Sequence, residues 1–238
     1  MTAKIRLYVE QPLGQGQSVQ LTREQAHYLF GVMRLGVGDA LKLLNGTDGE
    51  WRAKVAEAGK RVGMLSVLDQ TGPLVMPPDV WLLFAPVKKA RTDFIVEKAV
   101  EMGVRRIIPV QTAFTNSGRI QRDRLQAHAV EAAEQCGATY VPEVAEMARL
   151  DRVLADMTDR PLMFCDEGEA GAAADLPDRP GPWAILIGPE GGFSEEERTR
   201  LKSLDFAHPV ALGPRILRAD TAAVAALTIW QRALGDWR

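Results

Sequence analysis

Short runs in which apolar and polar residues alternate dominate the first third of the chain. The runs IRLYVE, ALKLLNG, EWRAKVAEA and RVGMLSVLD are typical of half-buried β-strands, and turn sequences such as NGTDGE separate them. One helical stretch, TREQAHYLFGVMRL, interrupts the strands; Thr22 is its predicted N-cap, and Gln25 completes a capping box. The pattern predicts a small β-barrel or sandwich with one helix.

The pattern changes near residue 80, where apolar runs begin to alternate with longer helical stretches. Runs such as VWLLFAPV, RIIPVQT, LMFCDE, AILIGPE and HPVALG predict strands, and helices are predicted at about residues 91–102, 122–136, 194–204 and 219–233. Strands that alternate with helices indicate a mostly parallel sheet with helices on both faces. The segment GPLVMPPD lies between the two patterns. We therefore predict an N-terminal domain at 1–72, a linker at 73–79 and an α/β domain at 80–238.

Composition excludes several classes of protein. The 238 residues are 46% hydrophobic and 25% charged, which is typical of a globular protein, and the net charge is −2. No run is long and apolar enough for a membrane span, so a cytoplasmic location is predicted. The two cysteines and three histidines show no metal-ligand spacing, so no metal is predicted, and Cys136 is expected to be a small buried helix residue.

Two glycine-containing loops are the main candidates for chemistry. GPEGG at 188–192 and LGPR at 212–215 each follow a predicted strand, and ligands bind beyond the carboxyl ends of parallel strands. Glycine lets the main chain approach a flat ligand. Ser194 and Glu197 predict a capping box just after the first loop, and the acids there argue against phosphate. The Walker and dinucleotide motifs are absent. The ligand is therefore expected to be uncharged or cationic.

The stretch AILIGPEGGFSEEE, followed by VALGPRILRADTAAVAAL, resembles the RsmE family of 16S rRNA (uracil-N3)-methyltransferases, which belong to the SPOUT class. RLYVEQPL and AHYLFGVMRLGVGD are similar to the family's N-terminal PUA-like RNA-binding domain, and KKARTDFIVEKAVEMGVRRIIPV to its central segment. The resemblance implies a C-terminal trefoil knot, a homodimer and S-adenosylmethionine as cofactor. It also implies the cofactor-binding residues, which are Ile187, Gly188, Pro189, Glu190, Gly191, Gly192, Leu212, Gly213, Ile216 and Leu217.

The resemblance further implies methylation of N3 of one uridine near the 3′ end of 16S rRNA in the small ribosomal subunit. Arg218 is the candidate for shielding charge on the uracil oxygens, and Asp220 for positioning or deprotonating the base. Structural roles stay open for both, as an ion pair for Arg218 and as the N-cap of the last helix for Asp220. Arg6 matches a basic position of the family and is a third catalytic candidate.

Basic residues supply the candidates for RNA contact. Residues 88–124 contain nine Lys or Arg against four acids, which fits either phosphate binding or a solvated helix face. The candidates are Arg34, Lys88, Lys89, Arg91, Lys98, Arg119 and Arg215.

The chain departs from the family pattern at Ala138, Ala219 and Asp220, and QTAFTNSGRI lacks the usual acid–arginine pair near its start. Two alternatives therefore remain. One is a non-catalytic RNA-binding ribosome assembly factor, and the other is a SPOUT enzyme for another rRNA site, such as a ribose 2′-oxygen.

Overall fold

The computed structural model describes residues 5–59, 61–116, 120–157, 159–166, 176–179 and 181–237. The chain divides into two compact units. One comprises residues 1–76 together with 133–141, and the other comprises 77–132 and 142–238. The sequence analysis did not place 133–141 with the N-terminal residues, because helical periodicity carries no information on long-range packing.

The first unit is built on a curled sheet. Its strands are β1 (Arg6–Tyr8), β2 (Ser18–Gln20), β3 (Ala40–Leu44), β4 (Glu50–Ala58) and β5 (Gly63–Gly72), in the order β1-β3-β4-β5-β2. Only β1 and β3 pair in parallel; the other neighbours are antiparallel. Alternate strand residues, among them Leu41, Leu43 and Leu65, are fully buried. The predicted strands are confirmed, and β2 is an additional strand that the sequence analysis missed.

The helix of this unit begins as predicted. Helix α1 (Arg23–Ala26) has Thr22 as its N-cap, and the capping box with Gln25 is formed. It continues as a π-helical segment, His27–Val32, whose C-cap is Met33. Arg34 follows with a φ of 58°, the left-handed conformation in which helices commonly end. Arg34 is therefore exposed beyond the helix rather than part of it, which corrects our expectation of a helix-borne residue.

The second unit contains a parallel sheet with helices between its strands. The strands are β6 (Val80–Phe84), β7 (Arg106–Gln111), β8 (Glu143–Val144), β9 (Ala148–Arg149), β10 (Leu162–Cys165), β11 (Trp183–Ile187) and β12 (Ala207–Val210). The helices are α2 (Lys89–Glu101), α3 (Arg122–Cys136), α4 (Leu150–Asp156), α5 (Glu195–Lys202) and α6 (Ala219–Ala233). The last four residues of α3, 133–136, belong to the first unit. The strand order is β12-β10-β11-β6-β7-β8, with β9 paired to β7. The α/β prediction is confirmed.

Helix α6 packs on the sheet side of this unit through a face of small residues and one tryptophan. Ala222, Ala226 and Trp230 are buried on that face. Gln231, also fully buried, donates a hydrogen bond to the Met102 carbonyl at the end of α2, at 2.6 Å. Because α6 starts directly after the second glycine loop, this packing fixes where that loop ends.

Candidate active site

Three strand ends lie side by side at the carboxyl edge of the parallel sheet. In register, Cys165 at the end of β10 is paired with Ile187 of β11 on one side and with Val210 of β12 on the other. The loops that follow β11 and β12 therefore leave the sheet at the same level, on either side of β10. The expectation that the two glycine-containing loops converge at one edge agrees with this arrangement.

A cavity of about 480 Å³ lies between these loops, a volume within the usual range of ligand pockets. We call it the loop cavity. Its walls come from the ends of β10 and β11, the two loops and the start of α6. The predicted cofactor residues that line it are Ile187, Gly188, Pro189, Glu190, Gly192, Leu212, Gly213, Ile216 and Leu217. Gly191 does not line it and instead faces a neighbouring cavity.

Two glycines of the loops show why the main chain is bare at these points of the cavity wall. A Cβ on Gly188 would lie 3.1 Å from the ring of Phe193, which is buried and packs edge-on against Phe164. Gly213 has a φ of 108°, a conformation that side chains disfavour, and a Cβ there would meet nothing within 4 Å. The first glycine makes room for the ring of Phe193, which also lines the cavity, and the second lets the main chain bend along the cavity.

The acids after the first loop do not face this cavity, contrary to our expectation. Ser194 caps α5 and Glu197 completes the predicted capping box. Glu197 also accepts a hydrogen bond from the Ala113 N–H, at 2.8 Å, so its carboxylate points toward the end of β7. Glu196 and Glu197 line a different cavity. The carboxylates at the loop cavity are Glu190 and Asp166, alongside the cations Lys88, Arg91, Arg215 and Arg218.

Arg91 joins the two loops electrostatically. Its guanidinium forms an ion pair with Glu190 of the first loop, and its Nε lies 3.7 Å from Asp220 Oδ2 in the first turn of α6. The sequence analysis placed Arg91 among phosphate contacts, yet its side chain lines the loop cavity between two carboxylates. Nothing in the local sequence indicates this, because the three residues come from distant segments.

Asp220 is not the N-cap of α6, which is the structural role that the sequence left open for it. The N-cap of α6 is Arg218, not Asp220, and it makes no side-chain cap hydrogen bond. The Oδ1 of Asp220 accepts the N–H of Thr221 at 2.9 Å, and its Oδ2 faces Arg91. The N-cap interpretation of Asp220 was wrong, since the N-cap lies two residues earlier. Asp220 does not line the loop cavity, whereas Glu190 does.

Comparison with known proteins decides the family. The RNA methyltransferase domain family matches residues 75–231, and the RNA methyltransferase PUA domain family matches residues 21–61. The chain belongs to the RNA methyltransferase family. The resemblance to RsmE enzymes is confirmed by relatives named ribosomal RNA small subunit methyltransferase E. The relative from Synechocystis is 30% identical over 88% of this chain and 71% of its own, and that from Rickettsia conorii is 28% identical over 93% of each.

Solved structures of methyltransferases have the same fold over the whole chain. A methyltransferase from Legionella pneumophila in complex with S-adenosylmethionine matches with a TM-score of 0.90 and 29% identity, covering 98% of each chain. The ribosomal RNA small subunit methyltransferase E of Neisseria gonorrhoeae, also bound to S-adenosylmethionine, matches with a TM-score of 0.86 and 27% identity, covering 98% of this chain and 99% of its own.

In this family member, two residues of the loop cavity escaped the sequence analysis. Cys165 and Asp166 follow directly from β10, the strand between the two loops. Burial raises the pKa of the Cys165 thiol to about 12, so it stays protonated and is no nucleophile at neutral pH. Asp166 is buried and pairs with Arg198 Nε at 3.2 Å. The signal for both was available, since CDE follows a predicted strand of the same sheet.

Arg6 has a structural role that the sequence analysis did not foresee. Its Nε pairs with Glu50 at 2.7 Å, and its terminal nitrogens donate to the carbonyls of Ala133, Glu134 and Ala138. The side chain is only 12% exposed. All of these residues belong to the first unit. The catalytic assignment of Arg6 is therefore withdrawn, because the guanidinium is committed to capping the end of α3.

Glu50 is the acidic centre of the same network. Burial raises its pKa, but hydrogen bonds from Lys42, Thr71 and Arg6 outweigh that effect, so the pKa of Glu50 lies below its usual value. The carboxylate is thus held in its charged form by three donors.

Cys136, the last residue of α3, is exposed, so the expectation of a buried cysteine was wrong. It lies one turn beyond the buried Ala132, where the helix ends and nothing covers it.

The other predicted RNA contacts are dispersed. Arg34 is exposed in the first unit, whereas Lys88 and Arg215 lie at the rim of the loop cavity. Lys89 is exposed at the first residue of α2, and Lys98 pairs with Glu101 at 2.7 Å. Arg119 lies outside the described residues.

In the described ranges, no cluster of three or more His, Cys, Asp or Glu has the arrangement of a metal site. The helices in these ranges are also too short or too polar to cross a bilayer.

Proposed function

We propose that this protein transfers a methyl group from S-adenosylmethionine to the ribosomal RNA of the small subunit, at N3 of a uridine near the 3′ end. The observation that carries the proposal is the convergence of the two glycine-containing loops on one cavity, in a chain that belongs to the RNA methyltransferase family. Its relatives named for small-subunit rRNA support the substrate. The two structural neighbours with bound S-adenosylmethionine support the cofactor.

The loop cavity fits this cofactor in size and in chemistry. Main-chain groups at Gly188 and Gly213 are open to a flat adenine ring, because neither residue carries a side chain. Asp166 and Glu190 provide acceptors for hydroxyl or ammonium groups, and the cations at the rim suit a carboxylate. When bound, the sulfonium supplies an electrophilic methyl group.

The reaction requires an in-line approach of N3 to the methyl carbon. A bound S-adenosylmethionine would supply the methyl group to the N3 lone pair and would leave as a neutral thioether that keeps the electrons of the former carbon–sulfur bond. The N3 proton must pass to a base. As N3 gives up its proton, negative charge is shared with the uracil oxygens. Arg218 lines the cavity and makes no ion pair with the described residues, so its guanidinium is available to stabilise that charge.

We assign the proton acceptor by position. Glu190 lines both the loop cavity and the cavity beside it, so its carboxylate can face a base that enters between them. Asp220 lines neither cavity but faces Arg91, which pairs with Glu190. Asp220 is therefore a positioning residue that orients Arg91, and Arg91 in turn orients Glu190. In this proposal Asp220 has neither of the two roles predicted from the sequence, which were positioning and deprotonating the base.

RNA binding is shared between the two units in this proposal. The matched PUA domain, residues 21–61, includes Arg34, whose exposed guanidinium suits a phosphate. In the methyltransferase domain, Lys88, Lys89, Lys98 and Arg215 supply further cations. The domain limits 1–72, 73–79 and 80–238 remain our proposal for the division of the two functions.

Three further properties follow from the resemblance and belong to the same proposal. The chain after β12 forms a trefoil knot, so that α6 passes through the loop that precedes it. The enzyme acts as a homodimer of the SPOUT class, and it works in the cytoplasm, where its ribosomal substrate lies. Sedimentation of the purified protein tests the dimer, and a monomer at micromolar concentration would contradict it.

The test is methyl transfer to small ribosomal subunits from cells that lack this protein, followed by nucleoside analysis of the rRNA. We expect N3-methyluridine. Methyl on a ribose oxygen would instead identify the alternative SPOUT reaction. Binding of RNA with neither methyl transfer nor binding of S-adenosylmethionine would identify a non-catalytic assembly factor.

A further inference from the structure

A second cavity adjoins the loop cavity on the far side of the first glycine loop. It has a volume of about 610 Å³ and shares Lys88, Pro189 and Glu190 with its neighbour. We call it the side cavity. Its remaining walls come from the start of α2, the turn after β7 and the region before α3. The function proposed above requires cofactor and target base at the loop cavity and leaves the side cavity unassigned.

One wall of the side cavity carries an exposed aromatic ring, that of Phe114, on a turn whose backbone is fixed by hydrogen bonds. Phe114 lines the cavity and is 46% exposed, although an isolated benzyl side chain gains free energy by burial. Its turn is fixed by hydrogen bonds on both sides. The N–H of Thr112 donates to Thr115 Oγ1 at 2.9 Å, and the N–H of Ala113 donates to Glu197. The exposure of this ring is therefore built into the fold.

The neighbouring glycine leaves room beside that ring. A Cβ on Gly191 would lie 3.4 Å from the Cβ of Phe114 and 3.8 Å from two ring carbons. These are ordinary van der Waals distances, so Gly191 lies directly beside the phenyl group. Gly191, which does not line the loop cavity, thus has a place in the side cavity.

The same cavity carries positive charge. Lys88 is the N-cap of α2 and Lys89 its first residue; both are exposed and form no ion pair with the described residues. The first turn of this 13-residue helix contains no acid, and no side chain caps it. The N–H groups of Arg91 and Thr92 donate to the Lys88 carbonyl, so the two lysines and the positive end of the helix dipole are what favour an anion here. Arg124 also lines the cavity, but it pairs with Asp93 at 2.6 Å.

We infer that the side cavity binds the nucleotide next to the target uridine in the substrate RNA, with its base stacked on Phe114 and its phosphate at Lys88 and Lys89. Single-stranded RNA is recognised by this combination of an aromatic platform and cations. Because Pro189 and Glu190 separate the two cavities, the target base reaches the loop cavity while its neighbour stays outside. The inference rests on the proposed function, since the target base must occupy the loop cavity.

The test compares methyl transfer by Phe114→Ala with that by Phe94→Ala, on small subunits that lack the modification. Phe94 is a matched control because it is also an exposed phenylalanine, at 38%, and lines neither cavity. We expect Phe114→Ala to raise the KM for subunits about tenfold, with kcat and the affinity for S-adenosylmethionine unchanged, since base stacking is worth about 1–3 kcal/mol. Phe114→Trp should restore the KM, and Phe114→Leu should not.

Three results would overturn the inference. Equal KM values for Phe114→Ala and Phe94→Ala would show that no base stacks on Phe114. Full activity of Phe114→Leu would show apolar packing instead of stacking. Weaker binding of S-adenosylmethionine by Phe114→Ala would show that the ring supports the glycine loop. If wild-type protein transfers no methyl group to rRNA, the proposed function fails, so the two failures are distinguishable.

Discussion

The loop cavity and the side cavity use the same backbone loop for opposite purposes. On one side, residues 188–192 offer glycine main chain and the carboxylate of Glu190; on the other, they close a site with two lysines and a phenylalanine. The starts of two helices also differ in charge, because α5 begins with three glutamates, which do not face the loop cavity, and the first turn of α2 contains no acid. Backbone dipoles alone therefore do not decide which ligand binds. The side chains at each helix start set the sign of the charge.

The largest effect is expected from Glu190, which lines both cavities. Glu190→Gln should lower kcat about 100-fold or more, since a positioned base contributes about 10²–10⁴ to a rate. The affinity for S-adenosylmethionine should fall far less than kcat, because glutamine keeps one acceptor oxygen at this position of the loop cavity. Single-turnover methyl transfer measures the chemical step, and calorimetric titration measures the affinity. Asp220→Asn is the comparison variant, with a smaller loss of kcat. A larger loss for Asp220→Asn than for Glu190→Gln would transfer the role of proton acceptor to Asp220.

Arg218 tests the chemistry of the loop cavity alone. Arg218→Ala should lower kcat about 10²–10³-fold, as expected when a group that stabilises developing negative charge is removed. Arg215, which lines the same cavity three residues earlier, provides the control, and Arg215→Ala should mainly raise the KM for subunits. Equal effects of the two variants on kcat would contradict a specific role for Arg218.

Arg6 belongs to neither cavity and should affect stability only. Arg6→Ala leaves Glu50 without one partner and three carbonyls without a donor, so we expect a loss of about 3 kcal/mol in the free energy of unfolding. Urea unfolding measures it. The kcat of the folded variant should equal that of the wild type, and a lower kcat at full stability would restore the catalytic interpretation.

The same network predicts a pH dependence. The pKa of Glu50 is lowered by folding, so its contribution to stability is present above its unfolded pKa and is lost as the pH falls through the folded value. Arg6→Ala removes one of the groups that lower this pKa. The difference in stability between the wild type and the variant should therefore shrink below about pH 4, near the usual pKa of a glutamate.

The smallest effect is expected at the side cavity. Lys89→Ala should weaken RNA binding and reduce the slope of log affinity against log salt by about 1, the value for one lost phosphate contact. Binding of S-adenosylmethionine should not change, because Lys89 does not line the loop cavity. Lys98→Ala is the comparison variant and should reduce the slope less, since Lys98 already pairs with Glu101. An unchanged salt slope for Lys89→Ala would show that Lys89 contacts no phosphate of the RNA.

Local signals allowed much of this fold to be predicted. The bounds of α3 and α6 and the capping boxes at Thr22 and Ser194 depend on residues that are neighbours in sequence, and all agree with the structure. The placement of two loops at one edge also followed, since it needs only parallel strands. The Arg91 bridge between Glu190 and Asp220 could not be predicted. Arg91 lies 99 residues before Glu190 and farther still before Asp220, and no local pattern links them.

The roles of Arg6 and Phe114 were missed for the same reason. A lone arginine in a short strand gives no sign that three of its partners lie more than 120 residues away. The exposure of Phe114 depends on a turn that Glu197 fixes from another helix. The sequence therefore identified the two loops that line the loop cavity, whereas the side chains between the two cavities could be found only from the structure.

Calorimetric titration of S-adenosylmethionine tests the division of the two cavities most directly. The wild type and Phe114→Ala should bind it with the same affinity. Gly213→Ala should bind it at least about tenfold more weakly, because alanine at a φ of 108° strains the wall of the loop cavity. No binding by the wild type, or undiminished binding by Gly213→Ala together with a loss in Phe114→Ala, would contradict the account.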